Sequence, residues 1–261
     1  MSRLRDAVVL LTGASSGIGA ATARALARAG ARLSLAARRG EALATLADEL
    51  QQTHGRPVHW ATVDVTDADQ VHAWVQEAHA HFGRVDIAIA NAGQYVRRPV
   101  LQWRVDDFRR AMAVNFYGAL HLILAALPIM QRQQQGHFVL VSSLDAKKGL
   151  PLDGPYVAAK YALSGIGGVM RQELAPLGIR VTVVYPGRVD TPMIADLEVP
   201  RISAKLPPDK VARAIVRGIQ RNKAEVIVPW TGYLLYLDLI APRLADFLVR
   251  KLNLSGRTRE P

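Results

Sequence analysis

Val8-Val9-Leu10-Leu11-Thr12-Gly13-Ala14-Ser15-Ser16-Gly17-Ile18-Gly19 is the stretch that decides how the chain folds. Four consecutive apolar residues read as a strand buried on both faces, and they lead directly into a turn carrying three glycines. Gly13, Gly17 and Gly19 tolerate positive φ and let a ligand approach the backbone closely. A helix starting near Ile18 would then offer unpaired N–H groups and its positive dipole end, which suits a pyrophosphate. The spacing is Gly-x-x-x-Gly-x-Gly rather than Gly-x-Gly-x-x-Gly. A plain strand–helix turn is also often glycine-rich, so on its own the motif leaves both readings open.

The same apolar run recurs along the chain. Val8 to Leu11, Leu33 to Ala36, Val58 to Val63, Ile87 to Ala90, Phe138 to Val141, Val181 to Val184 and Val226 to Val228 are the expected strands. Helical patterns lie between them, such as Glu41 to Gln52 with Leu43, Leu46, Ala47 and Leu50 on one face. Unbroken apolar strands alternating with helices imply a parallel sheet covered on both sides. The expected fold is a single doubly wound, Rossmann-like α/β domain with a seven-stranded parallel sheet, over residues 1–230. Residues 231–261 are expected as a helical extension packing on the substrate cleft or on a partner subunit.

Composition narrows the chemistry. The 261 residues contain no Cys, which excludes disulfides and thiolate sites, and the seven His form no His-x-x-x-His or Glu-x-x-His pair, so no metal is expected. The net charge of +11 is spread over scattered Lys and Arg without an aromatic-interleaved basic stripe, so nucleic acid is not an expected partner. No signal-peptide pattern follows Met1-Ser-Arg-Leu-Arg-Asp, and a cytoplasmic location is the default. Ala111 to Gln131 lacks charge over nearly the ~20 residues that span a bilayer. Asn115, His121 and Pro128 interrupt it between two strands, so a helix buried between sheet and partner subunit is expected instead. The segment from Trp230 to Leu254 is broken at Pro242 into two short helices; a membrane-surface contact through its aromatics is the lesser reading.

A second motif brings a reaction. Tyr156 and Lys160 stand four apart in Tyr-Val-Ala-Ala-Lys, so on a helix they share one face, and Ser143 lies thirteen residues upstream of the tyrosine. A free phenol titrates near ~10, and a neighbouring ammonium favours its ionised form. Lowering it by two units would take about 3 kcal/mol.

With the glycine turn, this set resembles the short-chain dehydrogenase/reductase family, in its subtype of about this length, from Ala7 to roughly Val228. Asp64-Val65, Asn91-Ala92-Gly93, Asn115, and Pro186-Gly187 followed by Thr191 match in order. The resemblance implies that Gly13, Ser15, Ser16, Gly17, Ile18 and Gly19 hold a dinucleotide. Asp64 and Val65 would line its adenine, Asn91, Ala92 and Gly93 support it, and Pro186, Gly187, Val189 and Thr191 hold its nicotinamide end. Tyr156 would be the acid/base on a carbonyl or alcohol oxygen, Lys160 would also bind the nicotinamide ribose, and Ser143 rather than Ser142 would orient the substrate. Asn115 would hold a water that passes protons toward Lys160. For Asp64 a strand-end cap is the alternative, and for Asn115 a bond to its own helix backbone. The resemblance further implies a homodimer or homotetramer.

After the second expected strand the chain reads Ala36-Ala37-Arg38-Arg39, with no carboxylate to meet a ribose. Arg38 and Arg39 favour a 2′-phosphate, hence NADP over NAD. Gln94, Tyr95, Leu144, Met193 and Ile194 would line a mostly apolar substrate pocket, consistent with a hydrophobic carbonyl or alcohol, though core packing explains several equally well. An NAD-dependent dehydrogenase and a non-catalytic nucleotide-binding regulator are the alternatives.

Overall fold

In the computed structural model, which describes residues 4–200, 203–252, 254 and 256–258, strand β1 (Val8–Thr12) lies at the centre of the sheet. Residues 253, 255 and 259–261 of the expected extension lie outside the described set. The sheet is seven-stranded and parallel, in the order β3-β2-β1-β4-β5-β6-β8. Its other members are β2 (Arg32–Ala37), β3 (His59–Thr62), β4 (Ile87–Ala90), β5 (Gly136–Val141), β6 (Ile179–Pro186) and β8 (Glu225–Val228). A two-residue ribbon, β7 (Leu197–Glu198) with β9 (Arg257–Thr258), stands apart and is antiparallel.

Strand alternation assigns the two cores. Val9, Leu11, Ile87, Ile89, Val139 and Val141 face one layer, packed by α1 (Gly17–Arg28), α2 (Gly40–His54) and α7 (Pro208–Gln220). Leu10, Ala88, Ala90, Phe138 and Leu140 face the other, packed by α3 (Ala68–Phe82), α5 (Gly118–Gln133) and α6 (Gly154–Glu173). Both faces being covered is why the central strands read as unbroken apolar runs. Edge strand β3 differs: it spans only His59–Thr62, and its residues alternate between partly buried and exposed.

The uncharged stretch lies within a run of α4 (Val105–Met112), a π-turn (Ala113–Tyr117) and α5, a continuous helix long and apolar enough to cross a membrane by length and composition. Its inner side is committed to the sheet, with Leu122, Ile123, Ala126, Ile129 and Met130 buried in the core. Each large apolar side chain so buried contributes roughly 1.5–3 kcal/mol. That accounts for the hydropathy without a membrane.

Beyond β8, a 3₁₀ stretch (Trp230–Tyr236), α8 (Leu237–Ile240) and α9 (Pro242–Lys251) fold back over the sheet's C-terminal edge. Pro242 sits in the first turn of α9, where a missing N–H leaves no helical bond unmade. Adjacent lysines fasten this segment. Lys147 Nζ reaches Glu225 Oε1 at 3.0 Å, and Tyr236 donates its hydroxyl to Glu225 Oε2 at 2.6 Å. Lys148 Nζ lies 2.6 Å from Asp238 Oδ1 and 2.5 Å from Asp246 Oδ1, one acid on each of the two helices.

Candidate active site

β1 pairs with β2 on one side and β4 on the other, so the winding reverses there and a crevice opens beyond the strands' C-terminal ends. The glycine turn lies at that point, with Gly13 at φ 67° and Gly17 at φ 53°. A Cβ on Gly19 would stand 2.1 Å from the carbonyl oxygen of Gly13, and one on Gly17 would stand 2.7 Å from Thr191 Cγ2. The turn therefore excludes side chains where a ligand must approach. Ser16 precedes α1 without capping it through its side chain. Uncapped N–H groups at a helix start, with the positive dipole end, can receive an anion.

Asn91 ties the neighbouring strand to this turn. Its Nδ2 donates to the carbonyls of Thr12 (3.0 Å) and Gly13 (3.2 Å), while the N–H groups of Asn91 and Ala92 donate to Thr12 Oγ1. Arg39 forks onto Ser15 Oγ (3.0 Å) and Ser16 Oγ (2.6 Å), whereas Arg38 stays exposed at the cleft edge near Asp64. The Asp64 carboxylate accepts from the N–H and hydroxyl of Thr66 at 3.0 and 2.8 Å, which lowers its pKa. The strand-end cap weighed for Asp64 is present, alongside its place on the cleft wall.

The reactive groups come from three elements. Tyr156 and Lys160 occupy successive turns of α6, and Ser143 follows β5 directly. Lys160 is 3% exposed, donates to the Val141 carbonyl at 2.9 Å, and stands 5.7 Å from the centre of the Tyr156 ring. Burial lowers its pKa to about 8. Ser142 is committed elsewhere: its hydroxyl contacts the Lys160 carbonyl at 3.0 Å and Ser164 Oγ at 2.8 Å, fastening α6 to the sheet. Ser143 Oγ accepts the Asp145 N–H at 3.1 Å and lines the cleft. Asn115, fully buried in the π-turn, donates to the Gln94 carbonyl at 2.8 Å and to Ala111 at 2.9 Å, and accepts the Gln94 N–H at 3.1 Å. The own-backbone bond weighed for it is thus real. Yet a Cβ on Gly93 would lie 3.0 Å from Asn115 Oδ1 and 3.7 Å from Lys160 Nζ, so both groups converge on one point.

The protein alone does not favour the Tyr156 phenolate. In the protein alone, the Tyr156 pKa is raised, first by burial and then by the charge of Asp145, with the Ser143 hydrogen bond pulling the other way. Lys160, whose ammonium donates to the Val141 carbonyl, does not overcome this. Asp145 itself is pushed up to about 7 by burial and by Asp153. The phenol is therefore held protonated in the protein alone.

The residues named from sequence around the dinucleotide and the reaction, from Gly13 to Thr191, line one cleft of about 1210 Å³. That volume exceeds the roughly 300–1,000 Å³ of a single-ligand pocket, leaving room for a dinucleotide and a second molecule. Gln94, Tyr95, Leu144, Met193 and Ile194 are also on its wall, with the Tyr95 ring edge-on to Tyr156 at 4.9 Å. Sequence reasoning missed Asp145, Lys148 and Arg188, and of the tail, expected over the cleft or on a partner, it did not say that Leu235, Ala245, Leu248 and Val249 line the cavity. The acid two residues after Ser143 was a readable signal. The tail residues carry none, because their helical pattern does not say which surface they cover.

Comparison with known proteins agrees with this geometry. The family model for short chain dehydrogenases matches residues 7–201. An uncharacterised oxidoreductase of Mycobacterium tuberculosis is 33% identical over 93% of this chain and 72% of its own length. Among solved structures, an alcohol dehydrogenase from the archaeon Thermococcus sibiricus, complexed with 5-hydroxy-NADP, superposes with a TM-score of 0.79 at 30% identity, covering 86% of this chain and 96% of that one. A short-chain dehydrogenase from Streptomyces avermitilis gives a TM-score of 0.80 at 26% identity, covering 95% and 98%. The chain belongs to the short-chain dehydrogenase family and is an oxidoreductase of the type acting on CH–OH and C=O groups with a nicotinamide dinucleotide.

Proposed function

We propose that the protein is an NADP(H)-dependent oxidoreductase interconverting an apolar carbonyl compound and its secondary alcohol. The convergence of Ser143, Tyr156 and Lys160 on the wall that also holds the glycine turn carries this reading. The bound nicotinamide supplies or removes the hydride at the substrate carbon. Ser143 holds the substrate oxygen, and Tyr156 gives it a proton in reduction or takes one in oxidation. Lys160 holds the ribose and takes up protons through a path past Asn115. Gly13, Ser15, Ser16, Gly17, Ile18 and Gly19 hold the pyrophosphate, Asp64 and Val65 flank the adenine, and Asn91, Ala92 and Gly93 back the centre. Pro186, Gly187, Val189 and Thr191 close over the nicotinamide end.

The preference for NADP rests on Arg38, exposed at the end of β2 where a carboxylate would serve NAD. Arg39, engaged with Ser15 and Ser16, adds positive field. An apolar substrate is supported by Leu144, Leu150, Met193 and Ile194, which line the same cleft as Leu235 and Leu248 of the tail. Pairing into a homodimer or homotetramer through α5 and α6 is supported by Leu124, Tyr161 and Val169 on those helices and Tyr117 at the end of the π-turn, all large, apolar or aromatic, and exposed.

The test is Tyr156→Phe, assayed by NADPH oxidation against a panel of aliphatic and aromatic carbonyls. Turnover is expected to fall by about 10²–10⁴-fold with thermal unfolding unchanged. A folded variant that keeps its turnover removes Tyr156 as the acid. Arg38→Ala is expected to weaken NADPH while leaving NADH binding unchanged; equal losses for both cofactors would remove the 2′-phosphate role.

A further inference from the structure

The tail covers the cleft with one side and presents an unusual surface with the other. Trp230 is 75% exposed, Leu239 78% and Ile240 85%, and Tyr233, Leu244 and Phe247 are each about half exposed. Isolated exposed apolar residues are ordinary, but this many on one short segment mark an interaction surface. The charges around them that form no ion pair are positive. Arg243, Arg250 and Lys251 are exposed and form no ion pair among the described residues, with Lys251 Nζ 5.6 Å from the Phe247 ring centre. The two acids of the same helices, Asp238 and Asp246, are turned onto Lys148.

We propose that this face, from Trp230 to Lys251, docks on an anionic bilayer surface, with Trp230, Leu239, Ile240 and Phe247 in the interfacial layer and the three cations against lipid phosphates. Large apolar side chains flanked by Arg and Lys are what interfacial binding requires. Charge selects this occupant over a second copy of the chain. A self-associated face would set its cations against cations, because its acids are already engaged with Lys148. The surface is also continuous with the cleft. Leu234, Leu237 and Leu252 line the cavity and are 71%, 36% and 38% exposed, so they form a rim between the interior and the docking face. Resting on the apolar-substrate reading above, the mouth takes a water-insoluble carbonyl compound directly from the lipid layer.

The experiment is vesicle co-sedimentation of the full chain, with phosphatidylcholine vesicles and with vesicles that also carry phosphatidylserine. Binding is expected on the phosphatidylserine vesicles and to weaken with salt. The variants Leu239→Glu/Ile240→Glu and Arg250→Glu/Lys251→Glu should each lower partitioning on the order of tenfold or more. Neither pair lines the cleft, so turnover of a small water-soluble carbonyl should not change. Unaltered partitioning in both variants overturns the proposal. So does a wild-type chain that ignores anionic vesicles, or a Leu239→Glu/Ile240→Glu variant whose light-scattering mass drops, which would make the face a contact between copies. Vesicle binding is read without turnover. A chain that binds lipid but reduces no carbonyl would therefore refute the enzymatic reading and leave the docking face standing.

Discussion

Replacing Lys148 by Met tests whether the tail is held over the cleft by charge. Lys148 is 8% exposed and joins Asp238 on α8 and Asp246 on α9 to the loop that carries Ser143. The Asp238 side chain is 23% exposed and that of Asp246 is 52% exposed. The second pair is therefore close to an ordinary surface bridge, worth about 0–1 kcal/mol. The first lies between that and a buried pair, whose disruption costs roughly 3–5 kcal/mol. Together the loss should be about 2–3 kcal/mol, confined to the tail because the sheet core makes no use of Lys148. With 1.4 kcal/mol per factor of ten, α8 and α9 should open on the order of a hundredfold more often. Amide exchange measured by mass spectrometry should accelerate by that factor in residues 237–251, with β1, β4 and β5 unchanged. Lys148→Arg should restore most of the protection. Unchanged exchange over 237–251 would show that apolar packing of Ala245, Leu248 and Val249 alone holds the tail. Uniform acceleration across the sheet would show that Lys148 supports the whole fold.

Three other outcomes follow from named contacts. Gly19→Ala places a methyl 2.1 Å from the Gly13 carbonyl, so it should cost about 1–3 kcal/mol in urea unfolding and abolish dinucleotide binding by calorimetry; wild-type values for both would contradict the close approach. Lys160, with its pKa lowered from 10.5 to about 8, binds fewer protons folded than unfolded between those values. Stability should accordingly rise with pH through that window, by up to about 3 kcal/mol, and Lys160→Met should flatten the rise in denaturant titrations. Asp145, raised from 3.8 to about 7 by burial and by Asp153, acts in the opposite sense: its contribution is present at low pH and lost as pH climbs through 7, and Asp145→Asn should remove that loss.

The sequence by itself determined the parallel sheet and the position of the crevice. Unbroken apolar runs such as Val8–Leu11 and Phe138–Val141 arise only where helices cover both faces, and the glycine turn marks the end of the first strand. It also determined that Tyr156 and Lys160 share a helix face, because four residues make about one turn. Only the tertiary structure decided the rest. Edge strand β3 is exposed in alternation because the face that carries Trp60 and Thr62 is left open, which the run from Val58 to Val63 does not disclose. The resemblance already names Ser143, but the reason Ser142 is not the open hydroxyl lies in Ser164, twenty-two residues away, which takes Ser142 into the α6 contact. The elevated Tyr156 pKa depends on burial and on the Asp145 charge. The tail's two sides differ because Lys148 draws Asp238 and Asp246 inward, and its own residues do not name that lysine. Local pattern fixes elements whose partners lie within a turn or along a strand; charge balance and exposure depend on contacts between distant segments, which exist only once the chain has folded.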